Sequence, residues 1–246
     1  MGILIDAFGW LADPVNWTGP DGVPARLTEH VWMTLVSVVI ACAIAIPIGI
    51  WLGHIGRGAT LAINISNMGR AVPTFAVLVL LFLTPLGLSI WSTIIALILF
   101  AIPPVLTNAY VGIREADRDA VEAARGMGMS GGQVLRTIEL PLAVPLLMNG
   151  VRLAAVQVVA TATIAALVAG GGLGRIITNG YGRQDLPQVI AGSILVALLA
   201  LVVEGLMELL QRWVDPMRSA RKHARRDQIV TQNSAEPGMS LSAPGS

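Results

Sequence analysis

Side chains able to do bond-making chemistry are few in this chain and stand far apart. The histidines are His30, His54 and His223, and Cys42 is the only cysteine. Cys42 lies in an apolar run and reads as a small buried hydrophobe, so disulfide frameworks and cysteine-cluster metal sites are excluded. The sequence holds no G-x-x-x-x-G-K-[ST] run, and GGGLGR at 170–175 lacks the lysine and the hydroxyl that a phosphate loop needs. A membrane-embedded enzyme would need convergent ionisable or metal-binding groups, which the spacing does not offer. Two charges are nevertheless conspicuous because they interrupt apolar runs. Arg152 lies eleven residues past Pro141, about 16 Å along a helix, and Glu204 lies eight before Arg212, about 12 Å. A charge at such depth faces protein or water. The matching depths predict an Arg152–Glu204 pair, the alternative being that each snorkels or faces a subunit interface separately.

The other polar feature is EAARGMGMSGGQVLRTIELP at 122–141. Residues 115–125, EADRDAVEAAR, form helices readily, with Arg118 and Glu122 four apart. Gly126 and Gly128 then permit a sharp turn. Ser130 and Gln133 have capping-box spacing and start a second helix with Val134, Leu135 and Ile138 on one side. Pro141 suits the first turn of the following helix. The stretch therefore predicts a short helix–turn–helix joined to a long helix. Such an element suits transmission of force from a soluble partner, and it equally suits a plain connector.

The elements that must position these residues are membrane helices. Of the 246 residues, 54% are hydrophobic and 13% charged, against about 25% charged in ordinary soluble domains. The mean hydropathy is +0.72. Apolar blocks occupy about 31–53, 63–84, 88–110, 141–169 and 188–211, lengths that match membrane spans. Pro47 and Gly49 are tolerable inside the first, while Pro103-Pro104 should disturb the third near its end. Arg57, with Arg70 at its margin, Arg114, Arg118, Arg125 and Arg136, and the tail residues Arg212, Arg218, Arg221, Lys222, Arg225 and Arg226 fall on one side of a five-span topology. The other side has Arg26, Arg175 and Arg183, with acidic Asp6, Asp13, Asp21 and Glu29. The positive-inside rule then puts the N-terminus outside and 122–141 and the C-terminus in the cytoplasm. The N-terminus lacks the basic n-region of a cleaved signal peptide. Trp10 and Trp17 suit the outer interface, and the polar residues from Asp227 onward predict a disordered tail.

Glu122, Ala123, Ala124, Gly128, Ile138 and Pro141 match, without departure, the EAA signature loop of ABC importer permeases, which this chain resembles over roughly 28–213. The resemblance implies an all-α membrane protein: a five-to-six-helix ABC importer permease core with cytoplasmic coupling helices. It divides the chain into an outer segment 1–27, the permease domain 28–213 and a basic, then disordered, tail 214–246. It implies that the loop docks on a cytoplasmic ABC ATPase dimer, with Glu122 at the ATPase surface and Gly128 in the turn. ATP-Mg would sit on those ATPase subunits, with no cofactor in this chain and no nucleic acid partner. A second permease subunit, identical or homologous, an extracytoplasmic substrate-binding protein and the lipid bilayer complete the implied assembly, in a prokaryotic plasma (inner) membrane.

RAVPTFAVLVL at 70–80, residues 122–154, and TATIAALVAGGGLGRIITNG at 161–180 look most like the permeases for osmoprotectants such as glycine betaine, choline, carnitine or proline betaine. Methionine importers are the nearest confusion, and a secondary transporter would show more spans or inverted repeats. Gly170, Gly171, Gly172 and Gly174 read as a flexible turn. The outer loop 170–187, with Arg175, Tyr181, Arg183 and Asp185, suits contact with a binding protein or a plain cap-and-turn cluster. Trp32, Trp51, Trp91, Phe75 and Phe100 show no clustering in the sequence that would make a cage for a quaternary ammonium. Asn67, Thr74, Asn108, Asn149 and Gln157 are candidates either for lining a path or for bonding between helices.

Overall fold

The computed structural model describes residues 2–57, 60, 64–65, 72–168 and 170–214. Arg70, Asn67, part of the second expected span and the tail from 215 onward, with Arg218, Arg221, Lys222, Arg225 and Arg226, lie outside the described residues. The chain begins with α1 (Gly2–Ala12) and a 3₁₀ turn, Pro14–Trp17. Asp13 starts that turn by accepting the Val15 N–H at 3.0 Å. The Trp17 indole donates to the Leu11 carbonyl at 2.7 Å, and the Asn16 amide to that of Trp10 at 2.8 Å.

The first long helix, α2, covers Val23–His54, about 48 Å. It starts eight residues before the apolar run because Pro24 suits a first turn. Next come α3 (Thr74–Phe82), α4 (Ile90–Arg114), α5 (Arg118–Gly126) and α6 (Gly131–Val134). A π-helical stretch, Leu135–Glu139, leads into α7 (Leu140–Ala165), and α8 (Gly174–Gly182) and α9 (Leu186–Val214) follow.

The protein is an all-α, multi-pass membrane protein. Among the described residues four helices are long and apolar enough to cross a bilayer: Val23–His54, Ile90–Arg114, Gly131–Ala165 and Leu186–Val214. Five to six were expected. The difference falls at 63–84, where the described helix α3 has nine residues and rises about 14 Å, short of a hydrocarbon core of about 30 Å.

One proline reading changes and one holds. Pro103-Pro104 does not interrupt the third span: α4 runs through both to Arg114. A membrane helix tolerates such prolines where its surroundings satisfy the freed carbonyls, and the Asn108 side chain, on the same helix, donates to the Pro104 carbonyl at 2.8 Å. Pro141 lies in the first turn of α7, as its place in the sequence suggested, and Gly131–Ala165 is continuous through it. The π turn widens the helix just before Pro141, with the Leu140 N–H bonding the Leu135 carbonyl. That slack receives the proline ring, which would otherwise meet the carbonyl four residues back.

The core forms where α2 and α7 pack on the two sides of α4. Met33, Ala41, Ala45, Leu97, Ala101, Val105, Ala154, Val158 and Ala162 are buried together there. Close approach relies on small residues, as membrane helices do in the absence of a hydrophobic drive between them. A Cβ at Gly49 would stand 2.6 Å from that of Ala109, and one at Gly150 2.6 Å from that of Asn108. α9 packs on α7, α8 and α1 and leaves an apolar face uncovered.

Candidate coupling element and intramembrane polar chain

The 118–141 segment forms a turn of two helices at one end of the bundle. Asp117 caps α5, accepting the N–H groups of Asp119 at 2.9 Å and Ala120 at 3.3 Å. The helix begins at Arg118, later than the propensity of 115–125 suggests, because Asp117 withdraws to the cap position. Ala124 is buried, while Glu122, Ala123 and Arg125 face out. Met127 and Gly128 make the turn, with Gly128 N–H bonded to Arg125 O at 2.9 Å and Met129 N–H to Ala124 O at 3.2 Å. Gly128 has φ +86°, whereas Gly126 remains in the helix. A Cβ at Gly128 would meet open space, so backbone conformation alone requires glycine there.

Ser130 and Gln133 form the capping box, with Ser130 N–H donating to Gln133 Oε1 at 2.8 Å. Val134 is buried, and Leu135, Ile138 and Pro141 are half-buried at the start of the long helix. A cleft of about 100 Å³ opens beside the turn, lined by His54, Arg114, Arg118, Glu122, Arg125 and Glu139 among others. Among the described residues Arg118, Glu122 and Arg125 have no ion-pair partner within 4.0 Å. The i, i+4 spacing of Arg118 and Glu122 does not bring them into an ion pair.

One contact here escaped the sequence reading. His54 Nδ1 lies 2.6 Å from Glu139 Oε2, joining the end of α2 to the π turn. Glu139 is 5% exposed. The partners are 85 residues apart, and nothing local in either sequence announces the contact. A glutamate inside the short apolar run before Pro141 was the available signal.

Deeper in the bundle, Arg152 Nε stands 3.5 Å from Glu204 Oε1, with side chains 29% and 44% exposed. Arg152 Nη2 also donates to Asn149 Oδ1 at 3.2 Å, and Asn149 Nδ2 to Asn108 Oδ1 at 3.4 Å. One polar chain therefore crosses α4, α7 and α9. Thr74 and Gln157 are not part of it, being half-buried elsewhere. The aromatic reading needs correction: Trp32 and Trp91 meet edge-to-face, with centroids 6.5 Å apart. The ends of α2 and α4 are neighbours, which the sequence separation hides. Trp51, Phe75 and Phe100 do not join them.

The bundle, with a two-helix turn at one end, is that of a multi-pass membrane protein. Residues 45–216 match the family model described as the binding-protein-dependent transport system inner membrane component, and the chain belongs to that family. It is a non-catalytic permease subunit of ABC importer type, and within the family it resembles the osmoprotectant permeases. The glycine betaine/carnitine/choline transport permease of Bacillus subtilis is 32% identical over 76% of this chain and 86% of that protein. A carnitine transport permease of Listeria monocytogenes is 36% identical, over 79% and 89%. An osmoprotectant import permease of Salmonella typhimurium is 32% identical, over 79% and 93%. Among solved structures, a MetNI methionine ABC transporter in an inward-facing conformation shares the fold, with a TM-score of 0.68 at 23% identity over 82% of this chain and 99% of that one.

Proposed function

We propose that this permease carries small quaternary-ammonium osmoprotectants, such as glycine betaine, carnitine, choline or proline betaine, inward across a prokaryotic plasma membrane. The observation that carries the cargo is the identity of 32–36% with permeases named for these solutes, at more than three-quarters of this chain. The methionine transporter shares the fold at lower identity, which supports architecture and says nothing of cargo. An external binding protein delivers the solute, and a second permease subunit, identical or homologous, completes the pathway.

On this reading residues 28–213 are the permease domain, 1–27 an outer segment and 214–246 a cytoplasmic tail. The N-terminus is outside and the C-terminus inside, supported by the bias of Arg and Lys towards the 114–136 side. Glu122, Ala123, Ala124, Gly128, Ile138 and Pro141 build the element that docks on the ATPase dimer, whose subunits hold ATP-Mg. Glu122 and Arg125, outward-facing and without an ion-pair partner among the described residues, supply the charged contacts, and the unbroken helix from Gly131 into α7 carries ATPase movement into the membrane. Arg152 and Glu204 act as an internal tie between α7 and α9.

Uptake of labelled solutes tests the cargo. The permease, its ATPase and its binding protein, expressed in cells lacking other osmoprotectant importers, should accumulate betaine, carnitine or choline. Accumulation of methionine, with none of these taken up, overturns the assignment.

A further inference from the structure

Both ends of α2 are fastened to α7 or to the loop that follows it, by side chains that the transport reading leaves without a role. At the α1 end, the Gly172 N–H donates to Glu29 Oε2 at 2.8 Å. The Leu173 N–H donates to His30 Nδ1 at 3.2 Å. A backbone N–H can only donate, so Nδ1 is unprotonated and Nε2 carries the hydrogen. Nε2 then donates to the Val159 carbonyl of α7 at 3.1 Å. His30 is fully buried. Arg26 Nη1 holds the Glu29 carboxylate at 2.9 Å and also pairs with Asp21.

The glycines complete the seat. A Cβ at Gly171 would overlap the Glu29 carboxylate, and one at Gly172, where φ is +77°, would stand 2.9 Å from His30 Cβ. The glycine run is therefore a cradle moulded on two side chains of α2, in place of the free hinge that its composition suggested. At the other end, His54 Nδ1 meets Glu139 Oε2 at 2.6 Å, one residue before α7 begins. The two ties are 24 residues apart on α2, about 36 Å, and 20 apart between Glu139 and Val159, about 30 Å. Two antiparallel helices, of 32 and 26 residues, are thus closed into a frame.

We infer that α2 and α7 move as one body during transport, and that Glu29 and His30 are positioning residues that make the 170–173 loop follow the coupling element. The inference rests on the permease reading. The membrane-spanning frame gives the ATPase-facing turn and the loop at the far end a common mechanical state. Without the Glu29 contact the loop moves independently, and a binding protein loaded on that side loses its hold on ATP hydrolysis.

The test uses the full transporter, reconstituted with its ATPase and binding protein. It compares hydrolysis with and without loaded binding protein. Glu29→Ala should keep the basal rate and lose about tenfold of the stimulation, the scale of a hydrogen bond to a charged group. Glu29→Gln retains an acceptor for the Gly172 N–H and should restore it. Gly171→Ala should resemble Glu29→Ala alone yet add nothing in the Glu29→Ala background, because the carboxylate it strikes is gone. Additive losses, or wild-type stimulation in Glu29→Ala, overturn the frame. If Glu29→Ala fails to assemble, Glu29→Gln and Gly171→Ala decide: stimulation kept in the first and lost in the second supports it, and equal behaviour overturns it. Failure of the wild-type chain to engage any ATPase would instead sink the permease reading itself, and a different transported solute would change only the cargo.

Discussion

Glu122 is exposed on α5 and has no ion-pair partner among the described residues. Its replacement by alanine should therefore leave the melting temperature of the purified permease unchanged while lowering ATP-driven uptake by about tenfold, the loss of one charge-assisted contact. A fall in melting temperature that tracks the fall in uptake would make it a folding residue instead. Gly128 behaves oppositely. Alanine at φ +86° costs about 1 kcal/mol, and asparagine costs less because it tolerates the left-handed region. Thermal unfolding of the two variants should rank them in that order. Arg152 and Glu204 offer a third measurement. Removing either one leaves its partner's charge in the membrane, so each single alanine variant should destabilise assembly more than the double variant does. Additive effects would mean that the 3.5 Å approach carries no coupling. The depth of both charges was legible from distance to the helix ends, since helical rise is constant. The Asn149 and Asn108 extension was not, because it depends on rotation about two helices that the sequence does not set against each other.

At the scale of elements, the 118–141 turn was the most legible part of the molecule. Cap, box, glycine turn and proline are local devices, each decided by atoms within four residues. Its edges shifted where two local signals competed: Asp117 prevailed over the helix propensity of Glu115 and Ala116. Its seating was illegible, because it hangs on His54 and Glu139, whose contact is a consequence of how α2 crosses the bundle. His54→Ala should leave the buried Glu139 carboxylate without that partner and cost about 2 kcal/mol. His54→Ala with Glu139→Leu should recover part of this, readable as melting temperature in detergent. No recovery would show that the contact does not stabilise the turn. The proline pair teaches a related lesson. A proline is tolerated in a membrane helix where neighbouring helices, side chains or local adjustment satisfy the freed carbonyls, and α4 passes through Pro103 and Pro104.

For the molecule as a whole, the long apolar runs make a multi-pass membrane subunit, and the proposed orientation, with the 118–141 turn inside, rests on the uneven distribution of Arg and Lys. In a Cys42→Ser background, a cysteine placed at Ser130 should react with an impermeant thiol reagent only after the membrane is opened, and one at Arg183 should react in intact cells. The reverse pattern would invert the orientation. The sequence alone determined what depends on local chemistry and on solvent: membrane residence, from the excess of apolar side chains; the form of the 118–141 turn, from caps and glycine; and family membership, from the Glu-Ala-Ala to Pro141 spacing. Tertiary structure decided what depends on partners distant along the chain. It put Glu29 and His30 against a glycine loop 143 residues away, closed α2 onto α7 at both ends, and joined Asn108, Asn149, Arg152 and Glu204 into one chain. Helix propensity and hydropathy are sums over neighbours in sequence. The crossing of two helices is set by which small residues allow their backbones to approach, and only the folded bundle specifies which small residues meet.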